Sequence, residues 1–205
     1  ANAVILGCSM ICMGLIILFV YLSRKISEKS LLLITRVMCA VFIIWEIAKI
    51  IFKFIIGDTY LDHWLPLYFC SLFIYALAFL SFSKGSVYKL GEAFISGGCI
   101  VAGLAYLIIP ATSLMDFPIY HFLSIHSMLF HSSMVYLGIM YIYKHRVKLN
   151  KVDYCYYAAF VGGFLLFWFG FLVVAGFIAI RDKQYSFLFL IVPFSLVGFF
   201  ITRNK

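Results

Sequence analysis

The chain has 205 residues, of which 65% are hydrophobic, 20% aromatic and 12% charged, and its formal net charge is +8. Soluble globular proteins are about half apolar and about a quarter charged, so this composition is typical of a protein embedded in lipid. It excludes disordered, collagen-like and disulfide-scaffold proteins. The positive charge does not indicate nucleic-acid binding, because its distribution follows a membrane pattern.

Seven apolar runs follow one another along the chain. Most have the roughly 17 to 25 residues that a helix needs to cross a bilayer, and the last is the weakest. The runs cover residues 3–22, 31–56, 65–82, 90–110, 121–143, 154–180 and 186–202. The first lacks a basic flank and a cleavage site, so we interpret it as a retained span. The sequence predicts an all-α polytopic membrane helix bundle of about seven transmembrane helices, forming a single domain over residues 1–205 with short connections.

The basic residues alternate from one connection to the next. Eleven of the 16 Lys and Arg side chains lie in the first, third and fifth connections and in the carboxyl-terminal tail, whereas the second and fourth connections have none. Lys and Arg are retained on the cytoplasmic side of a membrane. The amino terminus is therefore predicted outside and the carboxyl terminus inside, in a multi-pass protein of the cell membrane.

The second span contains four ionisable side chains, Arg36, Glu46, Lys49 and Lys53. Each costs about 2.5 to 3.5 kcal/mol at mid-bilayer even on the lenient insertion scale, so these groups are expected to face protein or water. Glu46, Lys49 and Lys53 share one helical stripe, and Glu46 can pair with Lys49 at i, i+3. Two interpretations stay open: the stripe lines a cavity or binds a substrate, or the pair is structural and Lys53 reaches the headgroups.

The fifth span contains His121, Ser124, His126 and His131. His121, Ser124 and His131 project to one side of the helix, whereas His126 points nearly opposite. Two histidines on one face with interleaved serines favour a wet or reactive cavity, although a hydrogen bond to a neighbouring helix is the simpler alternative. His121 and His131 are too far apart to bind one metal ion, and no metal-binding motif is present. We expect no metal.

Six cysteines lie inside or at the edges of the apolar spans, and most are interpreted as buried packing residues. Cys70 differs, because it lies about one turn into the third span from the outer side. The fifth span begins at the same surface, so a histidine from it could supply the base that a cysteine nucleophile needs. Chemistry of this kind needs no cofactor.

The order of these features resembles the YwaF-like family of small bacterial integral membrane proteins. The resemblance runs from about Arg36 to Tyr143 and rests on Trp45-Glu46, Trp64-Leu-Pro-Leu-Tyr-Phe-Cys70, Gly97-Gly98 before Pro110, and the histidines of the fifth span. Members have Leu-Pro-Leu-His-Leu-Cys where this chain has Tyr68 in the histidine position. A distant animal relative is an acyltransferase that remodels ether phospholipids through an acyl-cysteine, which follows the proline directly where this chain has Leu67. The resemblance implies a bacterial plasma membrane and lipid acyl transfer.

Two classes of function remain open. As a phospholipid acyltransferase, the protein would use Cys70 as the nucleophile, His121 or His126 as general base and acid, and Lys49 or Lys53 to bind the phosphate. The residues expected to line the cavity or bind substrate are Glu46, Lys49, Lys53, Tyr68, Ser124 and His131. As a transporter or membrane-complex subunit, it would use the same polar groups without covalent chemistry. A seven-span sensor is a weaker third interpretation.

The expected partners are membrane lipids and not nucleic acid. Small residues in the fourth and sixth spans, such as Gly98 and Ala102, have the spacing that lets helices pack closely. We expect them to serve packing within one chain. A homo-oligomer or a membrane partner subunit is the alternative.

Overall fold

A computed structural model of the protein describes residues 2–57, 69–109, 117–145, 151–152 and 155–163, together with residues 166 and 170. Within these ranges the chain forms helices and turns without a β-strand. The helices with defined bounds are α1 (Asn2–Ser23), α2 (Glu28–Ile55), a 3-10 turn (Phe69–Ser71), α3 (Leu72–Phe82), α4 (Gly85–Ser96), α5 (Gly98–Ile108) and α6 (Phe122–His145). The all-α prediction is confirmed for the described part of the chain.

Four helical stretches in the described ranges are long and apolar enough to cross a membrane. They are Val4–Ser23, Glu28–Ile55, Gly85–Ile108 and Phe122–Lys144, and a shorter apolar helix covers Phe69–Phe82. They correspond to the first five predicted spans. Residues 155–163 of the sixth predicted span are helical, and the seventh, 186–202, lies outside the described residues. Seven spans and the orientation of the termini stay predictions.

Local sequence explains several helix ends. Ser27 begins α2, because its Oγ accepts the backbone N–H of Ser30 at 3.1 Å. Gly57 follows the end of α2 with φ at +75°, a conformation that favours glycine. Only Ser83 and Lys84 separate α3 from α4. That connection is shorter than the one expected between the predicted spans 65–82 and 90–110, so Lys89 lies on α4 rather than in a loop.

The fourth predicted span is interrupted at Gly97, a break that is not evident in the sequence. Gly97 has φ −121° and ψ −75°, ends α4 and precedes α5. A Cβ atom at the neighbouring Gly98 would lie 2.7 Å from the Phe94 ring and 3.2 Å from the Tyr157 ring. Two aromatic rings therefore occupy the space that a side chain at the break would need.

Helix α6 occupies the centre of the described bundle and contacts α1, α2, α4 and α5. Its approach to α5 is close: a Cβ at Gly103 would lie 2.6 Å from Val135 Cγ2 and 2.7 Å from the His131 carbonyl oxygen. Most side chains of α1, such as Met10 and Ile17, are exposed, as expected for a helix that presents apolar groups to lipid.

Polar contacts tie the helices together at one end of this bundle. Lys144 Nζ donates to the Arg24 carbonyl oxygen at 2.7 Å and joins the carboxyl ends of α6 and α1. Arg36 Nε donates to the Ser81 carbonyl oxygen at 3.2 Å in the last turn of α3. This contact places the guanidinium at the negative end of the α3 dipole. It accounts for an arginine inside the second span.

The chain divides into two compact units, Ala1–Phe160 and Val161–Lys205. The first unit contains α1 to α6 and every candidate site residue named above. In the second unit the described residues, 161–163, 166 and 170, are helical. The single domain proposed for the whole chain stays a prediction.

Candidate functional site

Glu46 and Lys49 form an ion pair on the inward face of α2. Lys49 Nζ is bonded to Glu46 Oε1, as their i, i+3 spacing predicts. Glu46 is 6% exposed. Tyr75 of α3 lies within the electrostatic reach of the Glu46 carboxylate. An acid and an ammonium thus stand together in the interior, where each offsets the cost of burying the other.

His126 lies on α6 across from this ion pair. Its ring centroid is 5.1 Å from that of Trp45 and 6.1 Å from that of Phe42, both on α2. Lys49 is one of the charged groups that act on it. The side chain is buried, and its Nε2 has no hydrogen-bond partner among the described residues. His126 therefore presents an unused imidazole nitrogen in the interior beside Glu46 and Lys49.

His131 faces a different helix. Its ring is stacked on Tyr106 of α5, with centroids 3.7 Å apart and planes 8° apart. Its Nδ1 donates to the Ser127 carbonyl oxygen at 2.7 Å. In the described part of the chain neither His131 Nε2 nor the Tyr106 hydroxyl has a hydrogen-bond partner. The predicted opposition of His126 and His131 on the helix is confirmed, since they meet α2 and α5 respectively.

His121 lies just before the first turn of α6. Its Nδ1 accepts the backbone N–H of Leu123 at 3.3 Å, so the ring caps one of the free donors at the helix start. The ring is stacked on Phe117 at 4.4 Å, and Lys53 Nζ lies 5.8 Å from the Phe117 ring centroid. The buried Ser124 donates its hydroxyl to the Phe117 carbonyl oxygen. His121, Lys53 and Ser124 thus gather around Phe117.

Cys70 lies in the 3-10 turn that precedes α3. Whether Cys70 lies one turn into the third span stays a prediction, because residues 65–68 of that span lie outside the described residues. Cys70 is partly buried and lies near Cys99, at the start of α5. The preceding Phe69 packs on Phe94 with ring centroids 5.5 Å apart. The Cys70 and Cys99 thiols thus lie in the same region, near the Gly97 break.

The structure brings some candidate residues together and keeps others apart. Glu46, Lys49 and His126 share one buried region. No hydrogen bond joins Cys70 to a histidine within residues 69–109 and 117–145; instead, Phe73 packs on Phe130, which packs on His126. Tyr68, the remaining predicted residue, lies outside the described residues.

Several residues of the candidate site are not predicted by the sequence. Tyr75, Tyr106 and Trp45 line the polar regions, but a tyrosine or tryptophan in an apolar span carries no local signal of its partner. Cys99 was interpreted as a packing residue, and its proximity to Cys70 depends on how α5 meets the 3-10 turn. Among the described residues, no three His, Cys, Asp or Glu side chains gather as a metal site would require.

Comparison with known protein families identifies a family for this chain. The model of the TMEM164 family matches residues 1–201. No curated protein and no solved structure matches the chain. The match therefore covers all the candidate residues, from α2 through α6.

Proposed function

The chain belongs to the TMEM164 family, and from this premise we propose that it transfers an acyl chain between membrane phospholipids through Cys70. The observation that carries the proposal is His126, a buried imidazole beside the Glu46–Lys49 pair whose Nε2 has no described hydrogen-bond partner. Burying an imidazole nitrogen in a membrane interior without a hydrogen bond costs free energy. A nitrogen kept there at this cost indicates a role in chemistry or binding. The resemblance to the YwaF-like family, with its acyltransferase relative, also supports the proposal.

In the proposed reaction, Cys70 Sγ attacks the carbonyl carbon of a phospholipid acyl ester. The C–S bond forms, the ester C–O bond breaks, and the leaving glycerol oxygen takes the proton that the imidazole removed from the thiol. The hydroxyl of a lysophospholipid then attacks the thioester and gives its proton to the imidazole. That proton returns to the sulfur, so cysteine and histidine end as they began.

The geometry favours His126 over His121 as the base. A neutral imidazole has one acceptor nitrogen, and in His121 that nitrogen already accepts the Leu123 N–H. The Nε2 of His126 has no such partner in the described chain. Phe73 of α3 packs on Phe130, which packs on His126, and in the proposed reaction the proton moves through water or after these rings shift on substrate binding.

The surroundings of Cys70 also bear on its role as a nucleophile. Cys70 lies two residues before the start of α3, whose first-turn N–H groups and dipole favour a negative charge near that position. Lys49 provides a positive charge in the same interior for a phosphate or for the oxyanion that develops during attack. Cells carrying this protein in the plasma membrane would use it to exchange phospholipid acyl chains.

The test is acylation of the purified full-length protein incubated with phospholipid vesicles. Intact mass should increase by one acyl chain, hydroxylamine should remove it, and Cys70→Ser should abolish it. Cys155→Ser, which changes an exposed thiol, is the matched control and should retain the label. His126→Ala should slow labelling more than His121→Ala. Absence of the increment, or its persistence in Cys70→Ser, would reject the proposal.

A second candidate function is transport through the bundle without covalent chemistry. It is favoured by the break at Gly97 inside the Gly85–Ile108 span, because transporters often bind substrates where a transmembrane helix is interrupted. The buried His131 and the partly buried Tyr106 would then line the path. Proteoliposomes with a pH-sensitive dye inside distinguish the two functions, since proton flux that survives Cys70→Ser supports transport.

A further inference from the structure

A groove outside the candidate site runs between α1 and α6, near the carboxyl ends of both helices. Its volume is about 380 Å³. Its wall is apolar, formed mainly by the aliphatic side chains of Ile16, Ile17, Val20 and Ile139. Ile17 is 69% exposed, so the groove is open to the surroundings of the bundle. None of these residues takes part in the acyl-transfer proposal.

One end of the groove carries positive charge. Arg24 and Tyr143 complete the lining there together with Tyr21. The Arg24 guanidinium lies 4.1 Å from the Tyr21 ring centroid. Lys144 Nζ donates to the Arg24 carbonyl oxygen at 2.7 Å and lies 5.8 Å from the Tyr143 ring centroid. Two cations, each beside a tyrosine ring, are thus held at the same end.

The length of α1 places the two parts of the groove at different levels of a bilayer. At about 1.5 Å per residue, the 22 residues of α1 span roughly the thickness of the hydrocarbon core. The end of α1, with Tyr21 and Arg24, therefore lies at headgroup level, where aromatic and basic side chains are enriched. Ile16 lies about two turns further in, at the level of acyl chains.

We propose that this groove binds an anionic phospholipid, with its phosphate at Arg24 and Lys144 and one acyl chain along Ile16, Val20 and Ile139. The lining contains two tyrosines, an arginine and aliphatic side chains but no carboxylate, so no described acid in the wall neutralises the cations. Basic pockets between transmembrane helices bind anionic headgroups. A zwitterionic lipid would place its own cationic group next to Arg24 and Lys144, and the repulsion between like charges would weaken its binding.

Basic residues that follow Arg24 in the sequence support the same occupant. Lys25 follows Arg24 in the connection to α2, and Lys29 lies in the first turn of α2. Basic residues gathered where a span meets the headgroups attract anionic lipids, and these two, which do not line the groove, strengthen binding less than a cation that contacts the phosphate. The proposal does not depend on Cys70 or on acyl transfer, since the groove and the candidate site share no residue.

The experiment is native mass spectrometry of the full-length protein, delipidated and then exchanged into mixed micelles of phosphatidylglycerol and phosphatidylcholine at equal concentration. The wild type should retain phosphatidylglycerol in preference. Arg24→Gln and Lys144→Gln should each reduce that preference about fivefold. Lys25→Gln is the matched control, because it removes a charge from the same connection without lining the groove, and it should have a smaller effect.

A second pair of variants tests the groove itself. Val20→Trp fills the groove and should displace the retained lipid, whereas Leu18→Trp, on an exposed position of α1 outside the lining, should not. Both variants should keep the melting temperature of the wild type. Equal retention of the two lipids by the wild type, or equal effects of Lys25→Gln and Arg24→Gln, would overturn the proposal. Loss of a dimer on Val20→Trp would assign the groove to a second copy instead.

Discussion

His131 and Tyr106 lie face to face across the contact between α6 and α5, with ring centroids 3.7 Å apart and planes 8° apart. Stacking satisfies the faces of the two rings but not their polar atoms. Within the described residues, the Tyr106 hydroxyl and His131 Nε2 both lack a hydrogen-bond partner. The free energy of this contact therefore comes from packing, while the polar atoms oppose it.

The first prediction is that Tyr106→Phe raises the melting temperature in detergent. The substitution keeps the stacked ring and removes a hydroxyl whose burial without a partner costs about 1 to 3 kcal/mol. At about 2 to 4 °C per kcal/mol for a chain of this size, the increase should be measurable by differential scanning fluorimetry. The control is Tyr136→Phe, which loses the 2.9 Å hydrogen bond to Ser23 Oγ and should melt lower. If both variants melt lower, a water molecule or ligand bonds the Tyr106 hydroxyl.

The second prediction concerns the ion pair on α2. Glu46→Leu leaves the Lys49 ammonium without its partner and should lower the free energy of unfolding by about 2 to 3 kcal/mol, less than the roughly 3 to 5 kcal/mol for a fully buried pair, because Lys49 is partly exposed. Glu46→Gln keeps the shape and should cost less. Adding Lys49→Met to Glu46→Leu removes the unpaired charge and should restore most of the loss. Unfolding in detergent mixtures measures all three, and an unchanged Glu46→Leu protein would argue against the pair.

The third prediction uses two glycines with different surroundings. A Cβ at Gly103 would lie within 2.7 Å of Val135 and of the His131 carbonyl, so Gly103→Ala must push α5 from α6 and should cost about 1 to 3 kcal/mol. Gly14 has no atom within 4 Å of its virtual Cβ. Gly14→Ala should be neutral or should stabilise α1 by up to about 1 kcal/mol. Equal melting temperatures for the two variants would contradict the close approach of α5 and α6.

The fourth prediction concerns the hydrogen bond between Thr35 of α2 and Tyr141 of α6. Their hydroxyl oxygens are 3.1 Å apart, and both side chains are buried. Thr35→Val and Tyr141→Phe should each destabilise the protein. Tyr141 also interacts with Tyr88, so a double-mutant cycle is needed to isolate the pair. We expect a coupling free energy of about 0.5 to 1.5 kcal/mol from unfolding in detergent, and strictly additive losses would show that this bond contributes nothing.

Relationships within one helix follow from the sequence alone. The length of the apolar runs predicts the first, second and fifth spans to within a few residues, because the bilayer thickness sets the length of a helix that crosses it. The spacing of Glu46 and Lys49 predicts their ion pair, since residues three apart on a helix are neighbours. The same periodicity separates His126 from His131. Each of these inferences needs only the helical repeat.

Relationships between helices required the tertiary structure. Nothing in the sequence indicates that His131 meets Tyr106, that His126 meets Trp45, or that Cys70 lies near Cys99. Lipid is as apolar as leucine, so burial of apolar surface does not choose which helix faces meet in a membrane; close packing and a few polar contacts do. The break at Gly97 shows the same dependence, because the Phe94 and Tyr157 rings occupy the space beside Gly98. Helix length and face are local properties of the chain, whereas the partner of each face depends on how the whole bundle packs.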